Sequence, residues 1–173
     1  MEYEALIDEI ERRFKEAIWT KHHYKGNRVE KLCAGKKGVY SCPAVCSYHP
    51  IKREYLEPAF DRNNPELVKL LELLMNHHFP SIGYNTLQLN YNAEMGPHKD
   101  ANNKGSGFII GLGNYHGGEL AIDRLGKKNS KDETAEYLDY DIRHRGLAFD
   151  GCNHLHKVRP FTGTRITVVA YYQ

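Results

Sequence analysis

Leu6, Ile10, Phe14, Ala17 and Ile18 recur at helical spacing over residues 3–19, and Glu, Lys and Arg occupy most of the positions between them. A period near 3.6 with charge on the opposite side predicts an amphipathic helix that buries one face. From residue 21 to residue 37 the pattern lapses into polar residues and glycines, which predicts a loop region. Periodicity returns at Asn64-Pro65-Glu66, which supplies an N-cap residue, a first-turn proline and an acid matched to the helix dipole. Leu67, Leu70, Leu71 and Leu74 then share one face, so a second helix is predicted to about Asn76.

Beyond Pro80 the period shortens. Stretches rich in β-branched and aromatic residues cover 86–92, 107–112, 119–123, 136–142, 147–149 and 165–172, separated by glycine or polar turns. Short strands in succession, with no helical pattern between them, favour antiparallel sheets over any βαβ arrangement. The expected class is α+β: a double-stranded β-helix, or jelly roll, with the N-terminal helices packed on one face. A chain of 173 residues has room for one domain. Its helical and loop part is expected to run from 1 to 80 and its jelly-roll core from 81 to 173. The hydrophilic run from Lys127 to Thr134 reads as a hairpin or excursion from that core.

A chain that is 40% hydrophobic and 27% charged is close to the globular average, which excludes disorder, collagen and a disulfide scaffold. No apolar run approaches the roughly 20 residues that a bilayer requires, and Met1-Glu2-Tyr3-Glu4 is acidic, unlike a signal peptide. The expectation is an intracellular protein, cytoplasmic or nuclear, with no membrane partner. The net charge of +2 does not by itself declare a nucleic-acid partner. Between 21 and 37, however, Lys21, Lys25, Arg28, Lys31, Lys36 and Lys37 face only Glu30, a local excess of +5. His22, His23, Tyr24 and Tyr40 lie in or near this stretch, the mixture a nucleic-acid groove uses: cations for phosphate and rings for stacking. The competing reading is a solvated loop. Four cysteines without an export signal read as reduced thiols. Cys33, Cys42, Cys46 and His49 have the residue types of a structural zinc site but no C-x-x-C pair, and ordinary thiols are the preferred reading. Cys152 reads as a small core residue.

His98-Lys99-Asp100 follows a predicted strand, and in H-x-D the outer side chains can converge on one side of an extended backbone. Such a motif is common by chance. A second histidine, His154 or His156, enters a β region later in the chain, and Arg165 opens the last strand nine residues after His156. Two histidines and one carboxylate that leave three coordination positions open form the facial triad of non-haem iron oxygenases. Arg165 and Thr167, on one face of the last strand, offer a guanidinium fork and a hydroxyl for a distal carboxylate.

Over about residues 84–172 the sequence resembles the Fe(II)/2-oxoglutarate-dependent dioxygenase superfamily, whose pattern is H-x-D, a distal His and an Arg about one strand beyond. A looser resemblance to small TET/JBP-type oxygenases rests on 97–105, Phe108-Ile109-Ile110-Gly111-Leu112-Gly113, Gly117-Gly118-Glu119-Leu120 and Phe149-Asp150-Gly151. The resemblance implies that His98 and Asp100 are iron ligands. It implies His156 as the third, because the family ligand precedes the proline of a P-x-x-G-x-R-like segment by about four residues, and Pro160 fits His156 rather than His154. It implies that Arg165, assisted by Thr167, holds 2-oxoglutarate, and that Asn90 and Asn92 lie against the cofactor. Asn92 stands where an aromatic residue is expected. His154, Asn153 and Asp150 are candidate hydrogen-bond partners of the two imidazoles. The implied cofactors are Fe(II), 2-oxoglutarate and O2, with ascorbate as a candidate reductant. The implied reaction couples decarboxylation of the keto acid to succinate with oxidation of a substrate C–H bond. The leading substrate is a DNA or RNA base, a 5-methylpyrimidine or an N-methyl base. The alternatives are a protein, as for prolyl hydroxylases, and a non-catalytic cupin-like module, against which Arg165 argues.

Overall fold

A computed structural model describes residues 1–19, 38–49 and 51–173. The basic stretch 21–37, with its histidines and Cys33, therefore lies outside the described residues. The helices are α1 (Tyr3–Glu16), α2 (Ala59–Asn63) and α3 (Pro65–His78). The strands are β1 (Tyr40–Ala44), β2 (Ser47–His49), β3 (Glu54–Leu56), β4 (Thr86–Tyr91), β5 (Gly107–Leu112) and β6 (Tyr115–Gly117). They continue with β7 (Leu120–Asp123), β8 (Tyr137–Tyr140), β9 (Gly146–Phe149), β10 (His156–Val158), β11 (Phe161–Gly163) and β12 (Ile166–Tyr171).

Five strands form the main sheet in the order β1-β4-β12-β5-β9, every neighbouring pair antiparallel. Alternation along β12 divides its side chains between two surroundings. Ile166, Val168 and Ala170 join a core with Leu87, Leu89, Ile110 and Leu112, covered by Leu6, Ile10 and Phe14 of α1 and by Leu67, Leu71 and Leu74 of α3. Arg165, Thr167, Val169 and Tyr171 look the other way, into a cavity. A smaller sheet, β10-β7-β8, and the pair β11-β6 complete the β-structure, and β2 pairs with β3. The helices on one face of the sheet thus leave its other face to the cavity.

Several details differ from the sequence reading. Helix α1 ends at Glu16, because Ala17 is already extended at φ −63° and ψ 138°. Trp19 then stacks between Phe14 and Tyr40, with ring centroids 5.8 and 5.1 Å away. Asn64 does not cap α3 through its side chain. Its Oδ1 accepts from the Ile18 N–H at 2.9 Å and its Nδ2 donates to the Ile18 carbonyl at 3.0 Å, so its amide ties the segment after α1 to the start of α3. The part expected to be helix and loop also contributes strands: β1 forms the edge of the main sheet, pairing Tyr40 with Tyr91 and Ala44 with Leu87. Cys42 is buried within β1. Among the described residues Cys42, Cys46 and His49 form no three-ligand cluster, and Cys33, the fourth residue of the zinc reading, lies outside the described residues.

Asp61 of α2 accepts the backbone N–H of Val45 at 2.9 and 3.1 Å, and burial pushes its carboxyl up to about 6. A raised carboxyl pKa favours folding most below the unfolded value near 4, and that contribution disappears as pH rises through about 6. Urea midpoints should therefore fall from pH 4 to pH 6.5 more in the native protein than in Asp61→Asn. Parallel curves for the two would show that Asp61 titrates normally.

Candidate metal centre and its cavity

The chain reverses after β4. Asn92 adopts φ +53°, and the loop that follows brings His98 back beside His156 at the start of β10. The two histidines form an isolated antiparallel bridge, each N–H donating to the other's carbonyl at 3.0 Å. Their rings lie 4.2 Å apart between centroids. Asp100, two residues on, is fixed by its N–H donating to the Gly151 carbonyl at 2.8 Å.

Backbone carbonyls settle the state of both imidazoles. His98 Nδ1 lies 2.7 Å from the Gly96 carbonyl and His156 Nδ1 lies 2.9 Å from the His154 carbonyl. A carbonyl only accepts, so each Nδ1 carries a proton and Nε2 is the ring nitrogen turned toward Asp100. Those Nε2 atoms lie 3.5 and 3.3 Å from Asp100 Oδ1 and Oδ2 respectively. One ligand atom from each residue lies within 4.8 Å of the others, and among the described residues this is the one such cluster of three. The donor set therefore fits a divalent metal ion.

His154 stays out of the cluster. Its Nδ1 lies 2.7 Å from the Asp123 carbonyl, and it reaches the site through its own carbonyl oxygen, which orients His156. Asp150 instead accepts from Asn153 Nδ2 at 2.8 Å, and that bond lowers its pKa. Of the three orienting groups expected from sequence, one acts on a triad imidazole, and it acts through its backbone. Phe149 meets the His156 ring edge-on at 5.1 Å.

The triad opens on a cavity of about 560 Å³. Arg165 lines one part of it and is only 2% exposed. Its backbone N–H donates to Asn92 Oδ1 at 2.8 Å, its Nε donates to the Gly118 carbonyl at 2.9 Å, and Tyr115 and Phe161 flank the guanidinium. Among the described residues the buried Nη2 has no hydrogen-bond acceptor within reach, and burial draws the Arg165 pKa down against the opposing pull of the neighbouring Tyr115 hydroxyl. A buried guanidinium nitrogen without an acceptor is costly, and a ligand carboxylate would satisfy it. Gly118, at φ +70°, makes the close approach possible: a Cβ there would lie 2.8 Å from Arg165 Cδ.

Asn90 and Thr167 face each other across β4 and β12, with Asn90 Nδ2 donating to Thr167 Oγ1 at 3.1 Å, and both line the cavity. Asn92 does not line it. The backbone turn there aims its side chain at Arg165's N–H instead, so it positions the strand that carries the arginine.

The sequence reading missed Tyr115, Gln88 and Tyr171. Beside Arg165, the buried Tyr115 hydroxyl has no partner within strict hydrogen-bond geometry among the described residues and lies over Gly111, where a Cβ would be 2.5 Å from it. Gln88 and Tyr171 line the cavity, and counting by two from Asn90 and from Thr167 would have found them. Burial pushes the Tyr171 phenol up to about 12, so it stays protonated as a donor.

No protein-family model and no curated protein matches the sequence. Solved structures do. The structure of OsALKBH1 matches with TM-score 0.55 at 13% identity, over 99% of this chain and 93% of that one. An oxidoreductase of the 2OG-Fe(II) oxygenase family from Burkholderia pseudomallei matches with TM-score 0.58 at 17% identity, over 96% and 75%. NgTET1 in complex with 5mC DNA matches with TM-score 0.55 at 14% identity, over 100% and 69%. The fold is that of the 2-oxoglutarate-Fe(II) oxygenases. With that fold the chain combines a His-Asp-His triad of the kind that holds Fe(II). Among the described residues no helix is long and apolar enough to cross a membrane.

Proposed function

We propose that this chain is an Fe(II)- and 2-oxoglutarate-dependent oxygenase, built on a double-stranded β-helix, that oxidises a C–H or methyl group of a nucleic-acid base. The observation that carries the reading is the pairing, in one cavity, of the metal-competent triad with a buried guanidinium whose Nη2 has no acceptor among the described residues.

His98, Asp100 and His156 hold the iron through Nε2, a carboxylate oxygen and Nε2. Arg165 holds the distal carboxylate of the keto acid through Nη2, beside Thr167 Oγ1 and the Tyr115 hydroxyl. Held there, the iron and keto acid would supply the oxidising chemistry, in which O2 and 2-oxoglutarate are consumed, succinate and CO2 are released, and a substrate C–H becomes C–OH. The protein's share is positional. Carbonyls at Gly96 and His154 fix the imidazole tautomers, and Asn92 and Gly118 fix Arg165. Ile109, Leu120 and Phe149 give the cavity a dry wall beside the metal. The rest of the lining favours a base: Gln88, Asn102, Asn103 and Gln173 are neutral amides that both donate and accept, and Tyr171 adds a hydroxyl. The DNA in the NgTET1 structure is in keeping with that substrate class.

The test is succinate formation with Fe(II), 2-oxoglutarate and O2, stimulated by oligonucleotides bearing 5-methylpyrimidines or N-methyl bases, against proline-containing peptides. Stimulation by oligonucleotides is expected. Stimulation by peptides alone would make the chain a protein hydroxylase, and no succinate with any substrate would leave a binding module.

Tyr115→Phe should weaken 2-oxoglutarate about fivefold, the loss of one neutral hydrogen bond of about 1 kcal/mol, while thermal stability holds because the ring remains. Isothermal titration of the iron-loaded protein measures this. Unchanged affinity would place the hydroxyl outside the keto-acid site.

A further inference from the structure

We propose that Lys99, Lys127 and Lys128 form a cationic rim at the mouth of the cavity that takes the phosphates of a single-stranded nucleic acid. The proposal rests on the base-oxidising reading above and names the surface that would deliver the base.

Lys99 lies between the two triad residues His98 and Asp100 and lines the cavity. Its Nζ donates to the carbonyls of Lys127 and Lys128 at 2.8 and 3.4 Å. Those contacts hold the turn after β7 against the mouth and bring two further exposed lysines beside the first. Like charges placed together are unfavourable unless acids or a polyanion offset them. The nearby acids are already engaged. Asp132 accepts from Lys157 at 2.8 Å and from the Tyr137 hydroxyl at 2.9 Å, Arg124 pairs with Glu136, and Arg159 pairs with Asp139 at 2.9 Å. Asp123 is buried and accepts the N–H groups of Leu125 and Glu136. Among the described residues, no carboxylate lies within ion-pair distance of Lys99, Lys127 or Lys128. The surplus positive charge therefore stands at the entrance.

A nucleic acid suits this rim better than an acidic peptide does. Among the apolar and charged residues that line the cavity behind it are neutral amides and a phenol, which match the donor and acceptor edge of an uncharged base. Gln173, part of that lining, accepts at its backbone carbonyl from the Tyr55 hydroxyl at 2.8 Å. Tyr55 and Tyr48 are partly exposed, with ring centroids 5.2 Å apart, and offer a stacking surface for neighbouring bases. A single strand avoids the cost of extracting a base from a duplex.

The experiment uses the full chain loaded with iron and 2-oxoglutarate. A fluorescein-labelled single strand of about a dozen nucleotides is titrated at about 50 and 200 mM salt, with succinate release followed in parallel. The double variant Lys127→Glu/Lys128→Glu leaves the Lys99 contacts in place, since those use only backbone carbonyls. It should bind at least about tenfold more weakly at low salt. Loss of two single-strand phosphate contacts should also make the plot of log affinity against log salt shallower by about 1.4. Iron binding and succinate release without substrate should match the native protein, which shows that the variant is folded. If the native protein binds and oxidises the oligonucleotide and the variant equals it in affinity and salt slope, the rim is overturned and the base reading stands. If the native protein ignores oligonucleotides while an acidic peptide stimulates succinate release, both fall.

Discussion

His156→Ala should lose high-affinity iron binding while His154→Ala keeps it. The two histidines share a segment and are separated by one residue, yet their rings do different things. His156 is 3% exposed and places its Nε2 3.3 Å from Asp100 Oδ2, whereas the His154 ring is engaged with the Asp123 carbonyl. Removing the His154 ring leaves its carbonyl, the part that orients His156. Loss of an outer-shell partner costs a metal site about 10- to 100-fold in affinity, so loss of a ligand should cost more than about 100-fold. Anaerobic Fe(II) titration of both variants measures the difference. Iron lost in His154→Ala and kept in His156→Ala would reverse the assignment. Asp100→Ala should behave like His156→Ala, because it removes the only anionic member of the cluster.

How much of this was legible in the sequence follows from what each feature depends on. The two long helices and the long strands were, because β4, β5 and β12 are six residues each and form apolar or β-branched runs bounded by turn residues, whereas the five-residue α2 was not. Strands β6, β10 and β11 are three residues each, too short for a period of two to register, and they are set by pairing with partners far along the chain. The triad residue types stood out as H-x-D followed by a distal His. Their convergence depends on the bridge between His98 and His156, a contact across 58 positions that no local pattern encodes. Asn64 and Asn92 show the same limit. Each was read by local rules, as a cap and as a strand residue, and each uses its amide on a distant backbone group. Gly118 enters the sequence reading as part of the string Gly117-Gly118-Glu119-Leu120. It cradles the Arg165 side chain, which its sequence neighbours do not reveal.

Arg165→Ala should leave iron bound and weaken 2-oxoglutarate by about 10- to 100-fold, the equivalent of a charge-assisted hydrogen bond worth about 1.5 to 3 kcal/mol. The two effects separate because Arg165 contributes nothing to the triad. Its Nε is held by Gly118, its backbone by Asn92, and its unsatisfied Nη2 is the part left for a ligand. In the absence of the keto acid the substitution also removes a buried cation that the protein stabilises only in part, since burial already draws its pKa down. The variant should therefore lose less thermal stability than a buried-arginine truncation normally does, and the addition of 2-oxoglutarate should raise the melting temperature of the native protein but not of the variant. Arg165→Lys should recover only part of the affinity, because an ammonium lacks the planar fork and would leave the Gly118 carbonyl or the ligand without a donor. Calorimetric titration of the iron-loaded proteins with 2-oxoglutarate, and with succinate as a carboxylate lacking the keto group, gives the affinities. Equal 2-oxoglutarate affinity in Arg165→Ala and the native protein would remove the guanidinium from the cofactor site, and with it the observation on which the oxygenase reading stands.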